Sequence, residues 1–220
     1  MLTPPAAPDG INLALTAYRH LRGMVMRGEL AAGEAIQERR LAEALGLSRT
    51  PVRDALGRLE GERLLARQGR LLVVASLSPA EVIDILQLRR LLEGEAARLA
   101  ATRMAEAAIA ALRAALLRMK DEQSLTDEAH WAQDDALHRG IADASGNAEM
   151  GRVIHDLRQR TRIFGLHRIP ERFARGREEH LAILDAIAAR APEEAAQRMR
   201  HHLDQARDAI IATLRRELAA

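Results

Sequence analysis

The sequence predicts a mainly α protein in two parts, a winged helix-turn-helix with a small β-hairpin and, behind it, an all-α helical bundle. Three observations predict this. Three amphipathic helical patterns lie between residues 11 and 62, with a glycine between the second and third. Two short apolar runs follow, joined around Gly69. From Pro79 onward six helical patterns succeed one another without strand-like alternation.

The elements follow in order. Residues 1–10, rich in proline and alanine, read as a flexible tail. The first helix is expected over Ile11–Arg27, with Leu15, Tyr18, Leu21 and Val25 on one stripe. Gly28 and Gly33 bracket a turn. A short helix over Gln37–Leu45 ends at Gly46. Ser48 is a good N-cap for a helix over Arg49–Glu62. Pro51 falls in its first turn, where no backbone N–H is needed. Leu64–Arg67 and Leu71–Ala75 read as strands, with Gln68-Gly69-Arg70 as the turn. Residues 11–75 thus form one expected domain, and 76–79 a linker.

Within that linker Ser78 starts a helix, and Glu81 three residues on completes a capping box. The second expected domain is 80–220. Its helices are expected over 79–103, 105–122, 125–144, 147–164, 171–190 and 193–217. Breaks fall at Ser145-Gly146-Asn147, Ile169-Pro170 and Ala191-Pro192. Helices over roughly 140 residues can bury a core of their own.

Composition narrows the function classes. No run of 18 or more apolar residues predicts a membrane span, and no leader pattern stands at the N-terminus. The chain has no cysteine, so disulfides and thiolate ligands are excluded, which suits the cytoplasm. The net charge is +2. Residues 1–77 carry eleven arginines against eight carboxylates, a mild basic bias that suits a polyanion.

The segment LAEALGLSRTPVRDALGRLEGERLL, residues 41–65, carries the sharpest signal. Leu41, Ala42 and Leu45 give its first helix an apolar face. Val52, Leu56 and Leu59 do the same for the second. Arg49, Thr50 and Arg53 are left on the solvent side of that helix's N-terminal half. A recognition helix presents such residues to base edges in the major groove. Arginine can donate two bonds to guanine, and a hydroxyl can bond a phosphate. The hairpin tip, Gly69 and Arg70, would lie against the adjacent backbone. A pair of helical arginines alone is usually a solvated surface. Here the glycine turn, serine cap, proline, arginines and glycine hairpin stand in the order the motif requires.

Residues 41–60 resemble the winged helix signature of the GntR family of bacterial regulators, with Asp54 where glutamate is commoner. The resemblance implies DNA contacts by Arg39, Arg49 and Arg53, assisted by Ser48 and Thr50. It also implies a homodimer on a two-fold, double-stranded DNA operator.

A second set of residues lies in the helical part. Asp134 and His138 stand four apart and share a face with Trp131, Leu137 and Ile141. His180 shares a face with Ile183, Leu184 and Ile187. His202 sits at the edge of a face with Met199, whereas His201 aligns with Arg198 and Asp208. Imidazole and carboxylate suit Zn, Ni, Mn or Fe. Three histidines and one aspartate leave coordination positions open. A single inward histidine is more often a core residue, and sequence alone does not bring three helices together.

The pieces RRLLEGEAARLAA (89–101), Asp134 to Asn147, EEHLAILDAI and MRHHLD resemble the effector domain, called FCD, of the FadR-type branch of that family. Leu137 stands where an aromatic is common. The resemblance implies a divalent metal on Asp134, His138, His180 and His202, at the base of a pocket for a small organic acid. Arg89 is a candidate for the effector's carboxylate, with Arg162 and His167 as weaker ones. Two other readings stand beside this one. A regulator could sense a larger apolar ligand without metal, or the cluster could be a metalloenzyme centre, which would need a general base that the sequence does not offer.

Overall fold

The computed structural model describes residues 12–121, 127–163 and 171–219. The tail at 1–10 and the Ile169-Pro170 break lie outside the described residues. The chain divides after Ser76 into two compact units.

The first unit is built from α1 (Leu13–Met26), α2 (Glu38–Leu45), α3 (Arg49–Gly61), β1 (Leu65–Gln68) and β2 (Leu71–Val74). Asn12 caps α1, its Oδ1 accepting from the Leu15 N–H at 3.0 Å. Ala17, Leu21 and Val25 are its buried stripe. Tyr18 is only half-buried, because its hydroxyl reaches out to donate to the Glu62 carboxylate at 2.9 Å. The Arg58 guanidinium lies 3.8 Å over the same ring.

Gly46 ends α2 at φ 63°, a left-handed conformation that costs glycine little. The chain therefore turns sharply into α3, which buries Val52, Ala55, Leu56 and Leu59. Ser48 occupies the N-cap of α3 with extended backbone, but its side chain makes no capping bond. The expected cap is thus a matter of backbone geometry alone, and the exposed hydroxyl is left to solvent.

The hairpin is tighter than the three-residue turn expected. Gln68 pairs with Leu71, so only Gly69 and Arg70 form the loop. Gly69 takes φ 62° and Arg70 stays at negative φ. That is the pattern of a type II′ turn, whose twist matches that of the strands. A further strand-like edge joins this hairpin, where a turn and the approach to α2 were expected. The Gly33 N–H donates to Val74 O at 2.9 Å and Ile36 N–H to Leu72 O at 2.8 Å. Ala35 bridges Val73.

The second unit holds α4 (Pro79–Arg103), α5 (Glu106–Asp121), α6 (Asp127–Ala144), α7 (Ala148–Ile163), α8 (Glu171–Ala188) and α9 (Pro192–Ala219). The Ser78–Glu81 capping box forms in both directions, as the sequence predicts. The other boundaries differ from expectation by a residue or two, the usual scatter of helix ends. α4 packs along α9 and also against α6, α7 and α8, and α5 covers α6 and α8. Alanines 96, 97, 100 and 101 on α4 are buried and let its neighbours approach closely. Leu116, Leu137, Ile141, Ile154, Ile183, Leu184, Met199 and Leu203 fill the core between the helices. Among the described residues no helix is long and apolar enough to cross a membrane.

Candidate functional site

On the first unit, α3 presents Arg49 and Arg53 to solvent, with side chains 62% and 64% exposed. Ser48, Thr50, Gly69 and Arg70 are exposed as well. Arg39 is exposed on α2 and lies 3.6 Å from Glu43. One residue here escaped the sequence reading. Glu38, in the first turn of α2, accepts from Arg49 Nε at 2.9 Å and from Arg53 Nη2 at 2.8 Å. The Arg53 bond, seconded by Arg49, holds the Glu38 carboxyl below the usual carboxylate range, against a smaller opposing effect of burial. Exposed pairs of this kind contribute little, because water and salt screen them. Glu38 can therefore orient the two guanidiniums without preventing them from meeting a nucleic acid.

The second unit brings together a polar cluster of three buried histidines and a half-buried aspartate. Asp134 and His138 project from one face of α6, His180 from α8 and His202 from α9. One ligand-type atom from each lies within 4.8 Å of all the others. The Nε2 atoms of His180 and His202 are 3.3 Å apart. Asp134 Oδ1 is 3.4 Å from His180 Nε2 and 3.7 Å from His138 Nε2. The three histidines are buried, whereas His201 is exposed.

Three partners surround the cluster that the sequence did not single out. Buried Glu93, from α4, touches His138 Nδ1 with Oε2. Glu179, from α8, lies 2.7 Å from His202 Nδ1. Arg158, from α7 and 5% exposed, donates through Nη2 to Asp134 at 2.5 Å and to Asp135 at 2.8 Å. Glu93 was legible as a position, four residues after Arg89 on the same helical face. Its pairing with α6 was not.

Arg89 is itself buried. Its Nε donates to Glu93 at 2.6 Å and its Nη1 to Thr161 Oγ1 at 3.1 Å. The guanidinium expected to face an effector is thus engaged by two protein groups. Arg162 lies 3.5 Å from Asp135 and 5.7 Å from the Trp131 ring. His167 lies outside the described residues.

The electrostatics suit a cation. Burial by itself would raise the Asp134 carboxyl, but the positive charge of Arg158, the strongest of its neighbours, overrides it and holds the group well below the usual range. Burial, with His202 beside it, lowers His180, which keeps that ring neutral and its lone pair available. Burial would also raise Glu93, yet Arg89, His138 and Arg158 together keep it ionised.

The donor set fits a divalent transition metal. His138 Nε2 is buried and finds no hydrogen-bond partner in the protein. Such an atom is costly unless something else satisfies it. Nitrogens bound at about 2.0–2.1 Å around a tetrahedral ion stand about 3.3–3.4 Å apart. The His180–His202 separation is of that size.

Comparison with known proteins gives matches over both units. Residues 13–71 match the family described as bacterial regulatory proteins of the gntR family, and residues 84–205 match the FCD domain. An uncharacterized HTH-type transcriptional regulator in an unstable DNA locus of Streptomyces ambofaciens is 32% identical, over 84% of this chain and 80% of that protein. The Nta operon transcriptional regulator of Aminobacter aminovorans is 30% identical, over 83% and 87%. Among solved structures, E. coli McbR/YncC superposes with a TM-score of 0.75 at 25% identity, over 95% of this chain and all of that one.

Proposed function

We propose, on the footing that the chain belongs to the gntR family of bacterial regulatory proteins and carries an FCD domain, that it senses a small organic acid through a divalent metal. As a member of that family it is a DNA-binding transcriptional regulator rather than an enzyme. The observation that carries the sensing proposal is the meeting of half-buried Asp134 with buried His138, His180 and His202 at one point. When bound there, Zn, Ni, Mn or Fe supplies a Lewis acid with positions left for a carboxylate.

Charge supports the same reading. Among the described residues, Arg89, Arg158 and Arg162 stand around the site with Glu93, Asp134, Asp135 and Glu179. Three guanidiniums against four carboxylates leave one negative charge. A divalent ion turns that into one positive charge, which a carboxylate effector neutralises. With Arg89 tied to Glu93, any contact between Arg89 and the effector needs an exchange of partners.

In this reading residues 11–75 are the DNA head and residues 80–220 the sensor. α3 lies in the major groove, where Arg49 and Arg53 meet base edges. Arg39, Ser48 and Thr50 assist, and the Gly69-Arg70 tip rests on the neighbouring backbone. The regulator works as a homodimer on a two-fold operator, in the cytoplasm with the chromosome.

The test is a thermal shift screen of metal-stripped and metal-loaded protein against small carboxylic acids, since binding to the native state raises Tm by mass action. A rise is expected that needs metal and vanishes in His180→Ala. No response to any acid by protein with metal bound would overturn the effector class. Protein that takes up none of the four metals would overturn the metal as well.

A further inference from the structure

We propose that Glu93, Glu179 and Arg158 are positioning residues, which hold three of the four ligand-type side chains from behind and aim one atom of each at a common point. The inference rests on the metal reading above and concerns how the chain presets that site.

The argument starts from hydrogen-bond roles. An ionised carboxylate only accepts. Where Glu93 Oε2 meets His138 Nδ1, the ring nitrogen therefore carries the hydrogen. A neutral ring then has its lone pair on Nε2, which is the buried atom without a hydrogen-bond partner in the protein. The same logic applies on α9. His202 Nδ1 lies 2.7 Å from Glu179 Oε2, so the His202 lone pair is on Nε2, turned toward His180 Nε2 at 3.3 Å. Two lone pairs at that distance repel unless a proton or a cation lies between them. Arg158 acts on the remaining group. It takes Asp134 Oδ2 at 2.5 Å and leaves Oδ1 near two imidazoles, so that Asp134 offers a single oxygen.

Glu93 and Arg158 are themselves held. Glu93 also accepts from Arg89 Nε at 2.6 Å, and Arg158 is bound to Asp135 at 2.8 Å. Glu179 stands one residue before His180, so α8 supplies a ligand-type group and the support for another. Partners of this kind fix the tautomer and orientation of metal-binding histidines.

The experiment uses the full chain without a histidine tag. Zn²⁺ affinity is read by competition with a chelator, and the site's shape by the visible spectrum of the Co²⁺ form. Glu179→Ala is expected to lower affinity roughly 10–100-fold. Glu179→Gln keeps an acceptor for His202 and should recover part of the loss, which a merely structural role would not explain. Arg158→Lys should alter the Co²⁺ spectrum by freeing Asp134 Oδ2. Parent-like affinity in Glu179→Ala, or an unaltered Co²⁺ spectrum in Arg158→Lys, would overturn the proposal while leaving the metal site standing. If Glu179→Ala fails to fold, Glu179→Gln decides alone, and parent-like affinity in it counts against the proposal. A parent chain that binds neither ion would overturn the metal reading and this inference together, and the parent titration alone reveals it.

Discussion

His201 and His202 are neighbours on α9, yet the first is exposed and the second packs against His138 and His180, with ring centroids 5.1 and 4.5 Å away. The helical repeat turns successive side chains by about 100°, which is enough to separate solvent from core. His202→Ala should therefore lower metal content well below that of the parent, and His201→Ala should leave it intact. Elemental analysis of both variants checks this, and loss of metal from His201→Ala would show that His201 is the ligand instead. The arginines proposed to face DNA are a residue-scale matter too. Arg49→Ala or Arg53→Ala should weaken operator binding by about 1–3 kcal/mol if each is bidentate to guanine. A salt-controlled binding titration that finds unchanged affinity would remove that residue from the contact set. Both arginines were legible from the motif. Glu38, which binds the two of them, was not, because its partners lie eleven and fifteen residues away on another helix.

Two helix ends show what an element needs beyond its sequence pattern. Arg63 follows α3 at φ 58° and Arg190 follows α8 at φ 55°, although neither is glycine. For an L-residue that conformation costs roughly 1–2 kcal/mol. Arg190 has a compensation, since its Nη1 donates to Ala101 O at 3.2 Å and Met104 O at 2.9 Å. Arg63→Gly should accordingly stabilise the first unit by about 1 kcal/mol. Arg190→Gly should be net destabilising, because hydrogen bonds to a charged group contribute about 1.5–3 kcal/mol. Urea midpoints for the two variants should move in opposite directions; movement in the same direction would refute the compensation. The strand-like edge at Gly33–Ile36 belongs to this scale as well. It has no alternating run to announce it, and it is set by what β2 offers as a pairing edge.

At the scale of the whole molecule, the proposed sensing of an acid would be linked to DNA binding by free energy. If an acid shifts operator affinity by some factor, the operator must shift the affinity for the acid by the same factor. Titrating the acid with and without saturating operator should return the factor seen when the operator is titrated with and without acid. Unequal factors would show that the two measurements do not follow one equilibrium. A 5-fold to 150-fold factor corresponds to about 1–3 kcal/mol of coupling. The effect also requires that the acid distinguish two arrangements of the protein.

The sequence by itself determined the fold class, the order of elements and the family, because helical periodicity, glycine turns and the motif at residues 41–60 are local signals. It also named the four ligand-type residues as inward-facing, since the phase of a helix is local too. Only the tertiary structure decided that Asp134, His138, His180 and His202 lie within 4.8 Å of one another. It alone supplied Glu93, Glu179 and Arg158 behind them and engaged Arg89 with Glu93 and Thr161. The physical reason is that, apart from the Arg89–Glu93 pair within α4, these contacts join side chains 23 to 72 residues apart across packed helices. Periodicity tells which face of a helix is buried; only packing decides which other face it meets.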